Sequence, residues 1–82
     1  MLLYFENSKG TRKLISNPTT VKDMWNEINR FLEKNNFKSY YSRVNFGEKE
    51  WVIDVGSHTE FFIVKEFDDE DLADMKGERE WH

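Results

Sequence analysis

The stretch Thr20-Val21-Lys22-Asp23-Met24-Trp25-Asn26-Glu27-Ile28-Asn29-Arg30-Phe31-Leu32-Glu33-Lys34-Asn35-Asn36 decides the fold class. Val21, Met24, Trp25, Ile28, Phe31 and Leu32 fall at offsets 0, 3, 4, 7, 10 and 11, one apolar stripe at the helical period. Lys22, Asp23, Asn26, Glu27, Asn29, Arg30 and Glu33 occupy the opposite side. Thr20 followed three residues later by Asp23 resembles a capping box, with Asp in place of the usual Glu or Gln. Asn35-Asn36 supplies the stop, because asparagine tolerates the left-handed conformation that ends helices. The segment therefore predicts a helix with a single face to bury.

What it buries against is extended on both sides. Upstream, Leu2 to Glu6 and Thr11 to Ser16 read as a hairpin around Asn7-Ser8-Lys9-Gly10, the chemistry of a type I turn followed by a left-handed glycine. Asn17-Pro18 ends the second strand, since proline donates nothing to a ladder. Downstream, Lys38 to Phe46, Glu50 to Val55 and Glu60 to Phe67 read as three strands, with Gly47 and Gly56-Ser57 at the turns. The order strand, strand, helix, strand, strand, strand predicts an α+β class, one helix on a mostly antiparallel sheet. Eighty-two residues allow one small core, so residues 1–67 are expected to form one domain and 68–82 an acidic tail.

Charge supports that division. Residues 1–65 carry ten Lys/Arg and eight Asp/Glu, whereas residues 66–82 carry two and eight, a body of +2 and a tail of −6 behind the net −4. Asp68 to Lys76 could form a short helix with its acids at the favourable end and Leu72 and Met75 on one face, ended by Gly77; a solvated, disordered tail is the alternative.

The chain has no cysteine, which excludes disulfide frameworks, zinc ribbons and thiol nucleophiles and suits a reducing cytoplasm. The opening run Met1 to Phe5 lacks a basic n-region and is too short to span a bilayer, so the expectation is a cytoplasmic protein. Ser57-His58 does not resemble a catalytic pair, there is no G-x-S-x-G elbow, and the four glycines are scattered singly rather than gathered into a phosphate loop. No enzyme is expected, and no cofactor.

Asp54, His58 and Glu60 form the one cluster with metal-ligand chemistry, and the hairpin register decides whether they converge. A two-residue Gly56-Ser57 tip pairs Asp54 with Thr59 and sends His58 and Glu60 to the opposite face. A Gly56-Ser57-His58 loop pairs Asp54 with Glu60, Ile53 with Phe61 and Val52 with Phe62. The longer loop is preferred because aligned apolar side chains outweigh the ~0.2–1 kcal/mol cost of opposing like charges. A structural hairpin remains the expectation over a metal site.

Two further surfaces carry binding chemistry. Lys38, Tyr40, Tyr41 and Arg43 interleave basic and aromatic residues on one predicted strand, the combination used by sheet-based binders of single-stranded nucleic acid. Separately, Leu2-Leu3-Tyr4-Phe5, Tyr40-Tyr41 and Phe61-Phe62-Ile63-Val64 place large side chains on both sheet faces, while one helix covers only one. The second face should be covered by the tail through Leu72, Met75 and Trp81, by a second copy, or by another protein. Candidate partner-binding residues are thus Tyr40, Tyr41 and Phe61 on the sheet and Asp69, Asp71, Leu72, Met75 and Trp81 in the tail.

Phe37-Lys38-Ser39-Tyr40-Tyr41-Ser42-Arg43-Val44 and Asp54-Val55-Gly56-Ser57-His58-Thr59-Glu60-Phe61-Phe62 resemble small uncharacterised proteins encoded by phages and prophages of Gram-positive bacteria. The resemblance spans about residues 20 to 64. It implies a setting in which small accessory proteins bind one host protein, anti-CRISPR and other counter-defence inhibitors among them. The expectation is a non-enzymatic interaction protein binding a host protein. A single-stranded nucleic-acid binder and an oligomerising phage component are the alternatives.

Overall fold

The computed structural model describes residues 1–57 and 59–79. Its strands are β1 (Leu2–Glu6), β2 (Arg12–Ser16), β3 (Arg43–Phe46), β4 (Glu50–Asp54) and β5 (Phe61–Lys65), and its helices are α1 (Val21–Lys34) and α2 (Asp69–Arg79). The strands form one sheet in the order β2-β1-β5-β4-β3, and every neighbouring pair is antiparallel. The expected α+β order holds.

β2 and β3 are the two edges of the sheet, so the chain between them must cross its full width. α1 makes only part of that crossing: Phe31 near its C-terminal end and Phe37 beyond it still lie against Phe5 of β1, at 4.7 and 5.9 Å between ring centres. The stripe of α1 falls on the sheet, with Val21, Met24, Ile28 and Leu32 buried. They pack with Leu3, Val44, Trp51, Ile53, Phe62 and Val64, the residues that alternate toward the helix from β1, β3, β4 and β5.

Local chemistry sets both ends of α1. The Thr20 hydroxyl oxygen accepts from the Asp23 N–H at 3.1 Å, while the Asp23 carboxylate takes the Thr19 hydroxyl at 3.2 Å instead of reaching back to the cap backbone. At the other end Asn36 has φ 56°. The Phe37 N–H reaches the Leu32 carbonyl at 2.9 Å and the Asn36 N–H the Glu33 carbonyl at 3.3 Å, a Schellman closure. The β1–β2 turn is likewise as its residues dictate. Gly10 takes φ 82°, and the Asn7 side-chain oxygen accepts from the Lys9 and Thr11 N–H groups.

The sheet departs from expectation at three places. The strand read as Lys38 to Phe46 begins only at Arg43, so residues 37–42 form an irregular segment along the end of the sheet. The strand read as Glu60 to Phe67 ends at Lys65, because Glu66 turns the chain at φ 55°. This delivers Phe67 onto Trp51, ring on ring at 4.4 Å.

The third departure is the β4–β5 register, which matches neither expected loop. Asp54 pairs with Phe61, Ile53 with Phe62 and Val52 with Ile63, leaving a six-residue connection from Val55 to Glu60. This register puts Trp51, Ile53, Phe62 and Val64 together under the helix, all with no exposed surface, and it sets Glu50 opposite Lys65. It also relieves the expected opposition of Asp54 and Glu60, since Asp54 now faces Phe61. Val55 does not point outward at a hairpin tip; it turns into the core.

The tail departs from its reading as a helix ended by Gly77 and as a cover for the second sheet face. Asp68 and Asp71 cap α2 reciprocally, the Asp71 N–H donating to the Asp68 carboxylate at 2.8 Å and the Asp68 N–H to the Asp71 carboxylate at 3.2 Å. The helix runs through Gly77 instead of ending there. Met75 has no exposed surface and belongs to the same core as Trp51 and Ile28, with Leu72 packed against it. α2 therefore lies on the helix-bearing face of the sheet and cannot cover the other one.

Candidate functional site

The irregular segment 37–42 is anchored against the β4–β5 connection. The Tyr40 N–H donates to the Val55 carbonyl at 3.1 Å, a backbone bond that holds the segment to its neighbour. Gly56, at φ 97°, lies beneath both tyrosines: a Cβ built there would stand 3.1 Å from the Tyr40 Cβ and 3.4 Å from the Tyr41 Cε2. A glycine is needed here twice over, for the left-handed backbone and for the close approach of the rings.

Side-chain bonds finish the arrangement. The Asp54 carboxylate accepts from the Gly56 N–H at 2.8 Å through one oxygen and from the Tyr41 hydroxyl at 3.3 Å through the other. Arg43 pairs with Asp54 in the β3–β4 register, and its guanidinium carbon lies 5.6 Å from the centre of the Tyr41 ring. Tyr41 is thus held from two sides. Tyr40 has its backbone fixed while 75% of its surface is exposed, more than any other large apolar or aromatic side chain described.

The expected site residues separate into groups. Tyr40, Tyr41 and Arg43 do come together, with Asp54 among them and Phe61 beside Asp54 across the ladder. They do so as a knuckle at the end of the sheet, because Lys38, Tyr40 and Tyr41 lie outside β3. The flat nucleic-acid platform read from Lys38, Tyr40, Tyr41 and Arg43 is therefore not built. A carboxylate also sits where such a platform would meet a phosphate backbone.

The metal cluster is not assembled from its described members either. Asp54 is spent on Gly56 and Tyr41, whereas Glu60 accepts from the Ser57 hydroxyl at 2.9 Å within its own turn. The register no longer sets the two carboxylates opposite each other. His58 lies outside the described residues, and among those described no group of three His, Cys, Asp or Glu side chains could hold a metal.

In the tail, Met75 is withdrawn as a partner contact because it is core, and Asp71 is engaged as a cap. Asp69 is exposed and Leu72 half-buried. Trp81 lies outside the described residues.

The second sheet face was expected to be covered by the tail, a second copy or another protein; α2 lies on the opposite face, and side chains of the sheet itself supply part of a cover. Arg12 on β2 donates from Nε to Glu6 at 2.8 Å and, with both terminal nitrogens, to the two carboxylate oxygens of Glu50 on β4 at 3.1 and 3.2 Å. Lys65 approaches the same carboxylate at 3.9 Å. The hydrogen bonds to Glu50 and then Glu6 hold the Arg12 pKa above the usual guanidinium range. Nothing in the sequence spacing of residues 6, 12, 50 and 65 signals this; only the strand order does.

No family model matches the chain, and no curated protein and no solved structure matches it either. Among the described residues no helix is long and apolar enough to cross a membrane.

Proposed function

We propose that this chain is a small non-enzymatic interaction protein that binds another protein through the knuckle of Tyr40, Tyr41 and Arg43. The observation that carries this reading is Tyr40, exposed over three quarters of its surface yet fixed by its own backbone bond and by the Gly56 contact. An aromatic side chain on a pre-set backbone loses little freedom on binding, and tyrosine and arginine are the residues enriched at binding hot spots. Phe61 and Asp54 extend the same patch along the sheet. In the setting implied by the phage resemblance, the partner is a host protein met in the bacterial cytoplasm, and the binding inhibits it.

The test is capture on the tagged chain from a Gram-positive lysate, identification by mass spectrometry, and titration of the purified partner. Tyr40→Ala should weaken binding by roughly 30-fold, the equivalent of a hot spot worth about 2 kcal/mol. Its thermal stability should barely change, since the side chain is largely in water. Equal affinity of Tyr40→Ala and the parent chain would overturn the assignment of the knuckle.

A further inference from the structure

Ile63 poses a packing question that the core does not answer. It is 1% exposed, yet it points away from both helices and is not part of the cluster they cover. The register places it at the centre of a row across the second face, Leu14, Tyr4, Ile63, Val52 and Asn45, one residue from each strand. Leu14 at one end is 52% exposed, and Tyr4 and Val52 are half-buried. A β-bulge helps to produce this. Tyr4 pairs with Leu14 and Leu3 with Ser16, so the extra residue Ile15 turns to the core while Leu14 remains on the second face.

The Arg12–Glu50 bridge crosses this row. Arg12 is level with Glu6 and Phe61 and lies on β2; Glu50 is level with Leu2 and Lys65 and lies three strands away on β4. On that lattice the line joining the two positions passes midway over β1 and β5 at the level of Tyr4 and Ile63. The bonds join a position on the edge strand β2 to one on the inner strand β4 across one face, an approach that the curl of a twisted sheet permits.

We propose that Glu6, Arg12, Glu50 and Lys65 form an ionic strap that closes the second sheet face over Ile63, and that raised ionic strength releases it. The strap is held by charge and hydrogen bonds at a half-exposed surface, the kind of contact that salt screens within about 10 Å at 0.1 M. Arg43 and Asp54, cross-strand neighbours on this face at the far edge, engage Tyr41 rather than the strap. Releasing Arg12 leaves the ladder intact and uncovers the row. The opening is local, independent of unfolding and of the knuckle.

The absence of native cysteine gives a clean probe. Ile63→Cys places a lone thiol beneath the strap, and Val64→Cys places one on the helix-covered face as a reporter of global unfolding. The rate of reaction with a small aromatic disulfide reagent is then read at low and high sodium chloride, with Arg12 intact and as Arg12→Ala. Removing a bidentate arginine pair should speed labelling of the Ile63→Cys thiol about tenfold, and salt should do the same only while Arg12 is present. The Val64→Cys thiol should change far less. Equal acceleration at both positions would mean global unfolding, and no acceleration at Ile63→Cys would mean that Tyr4 and Val52 alone bury it; either result overturns the strap. Val52→Cys, at a half-buried position in the same row, serves the same comparison should Ile63→Cys not fold.

Discussion

Met75→Ala measures whether the acidic tail is an appendage or part of the fold. Met75 has no exposed surface and sits in the core with Trp51 and Ile28. Truncation to alanine removes three heavy atoms, about 2.4 kcal/mol at ~0.8 per buried group, and the cavity left behind adds to it. Leu72 is close enough in the same helix to settle partly into the space, so a loss of roughly 2–4 kcal/mol is expected. For a domain of this size that is a fall in melting temperature on the order of 10–25 °C. Urea denaturation followed by tryptophan fluorescence is a suitable assay, since Trp51 lies in the affected core. Asp69→Asn, on the exposed first turn of α2, is the control and should stay within about 0.5 kcal/mol. A Met75→Ala chain as stable as that control would show that α2 is not docked in the core.

Gly56→Ala should cost about 1–2 kcal/mol, from the left-handed backbone and from a Cβ that must displace Tyr40; it should also perturb the near-ultraviolet signal of the tyrosines. A silent Gly56→Ala would mean that the knuckle is not packed on the β4–β5 connection. The strap makes a pH prediction whose sign follows from Arg12. Its folded-state pKa is raised by Glu50 and Glu6, so its stabilisation is fully present below the unfolded value and is lost only as pH rises through the folded one. Both lie above the working range, so the penalty of Arg12→Ala, about 1 kcal/mol, should be the same at about pH 7 and about pH 10. A penalty that fades across that interval would assign the effect to another group.

How far the sequence could be read depends on whether each feature is set locally. The stripe of α1, the Thr20 half of its N-cap and its stop at Asn35-Asn36, the Asn7 to Gly10 turn and the alternation of element types are encoded within a few residues of each other, and they fold as read. The β4–β5 register is not local. Gly56-Ser57 suggests a tight tip, but the alignment is chosen by what lies under the helix, and only the pairing of Ile53 with Phe62 puts both there. The reading of Tyr40-Tyr41 as a strand failed for a similar reason. α1 ends over β1, where Phe31 and Phe37 meet Phe5, and β3 starts at the far edge, so residues 37–42 are used up in reaching it and are tied to the β4–β5 connection by the Tyr40–Val55 bond instead of pairing as a strand. Aromatic propensity alone could not show this.

The same topology explains why the chain has apolar residues on both sheet faces while its helices lie on one. With β2 and β3 at opposite edges, the chain between them crosses one face, carrying α1, and α2 joins it there, so neither described helix remains for the other. The central strands β1 and β5 still carry Tyr4 and Ile63 on that bare face, flanked by Arg12, Glu6, Glu50 and Lys65. A charged arm from an edge strand across such a row does two things at once. It shields apolar surface without a second layer, and it places arginine on the edge where bare strands otherwise template association. Its contribution to net stability is small because the pairs are half-exposed. Its effect on what the face can touch is larger, which is why thiol accessibility rather than melting temperature is the measurement that separates a strap from an incidental surface ion pair.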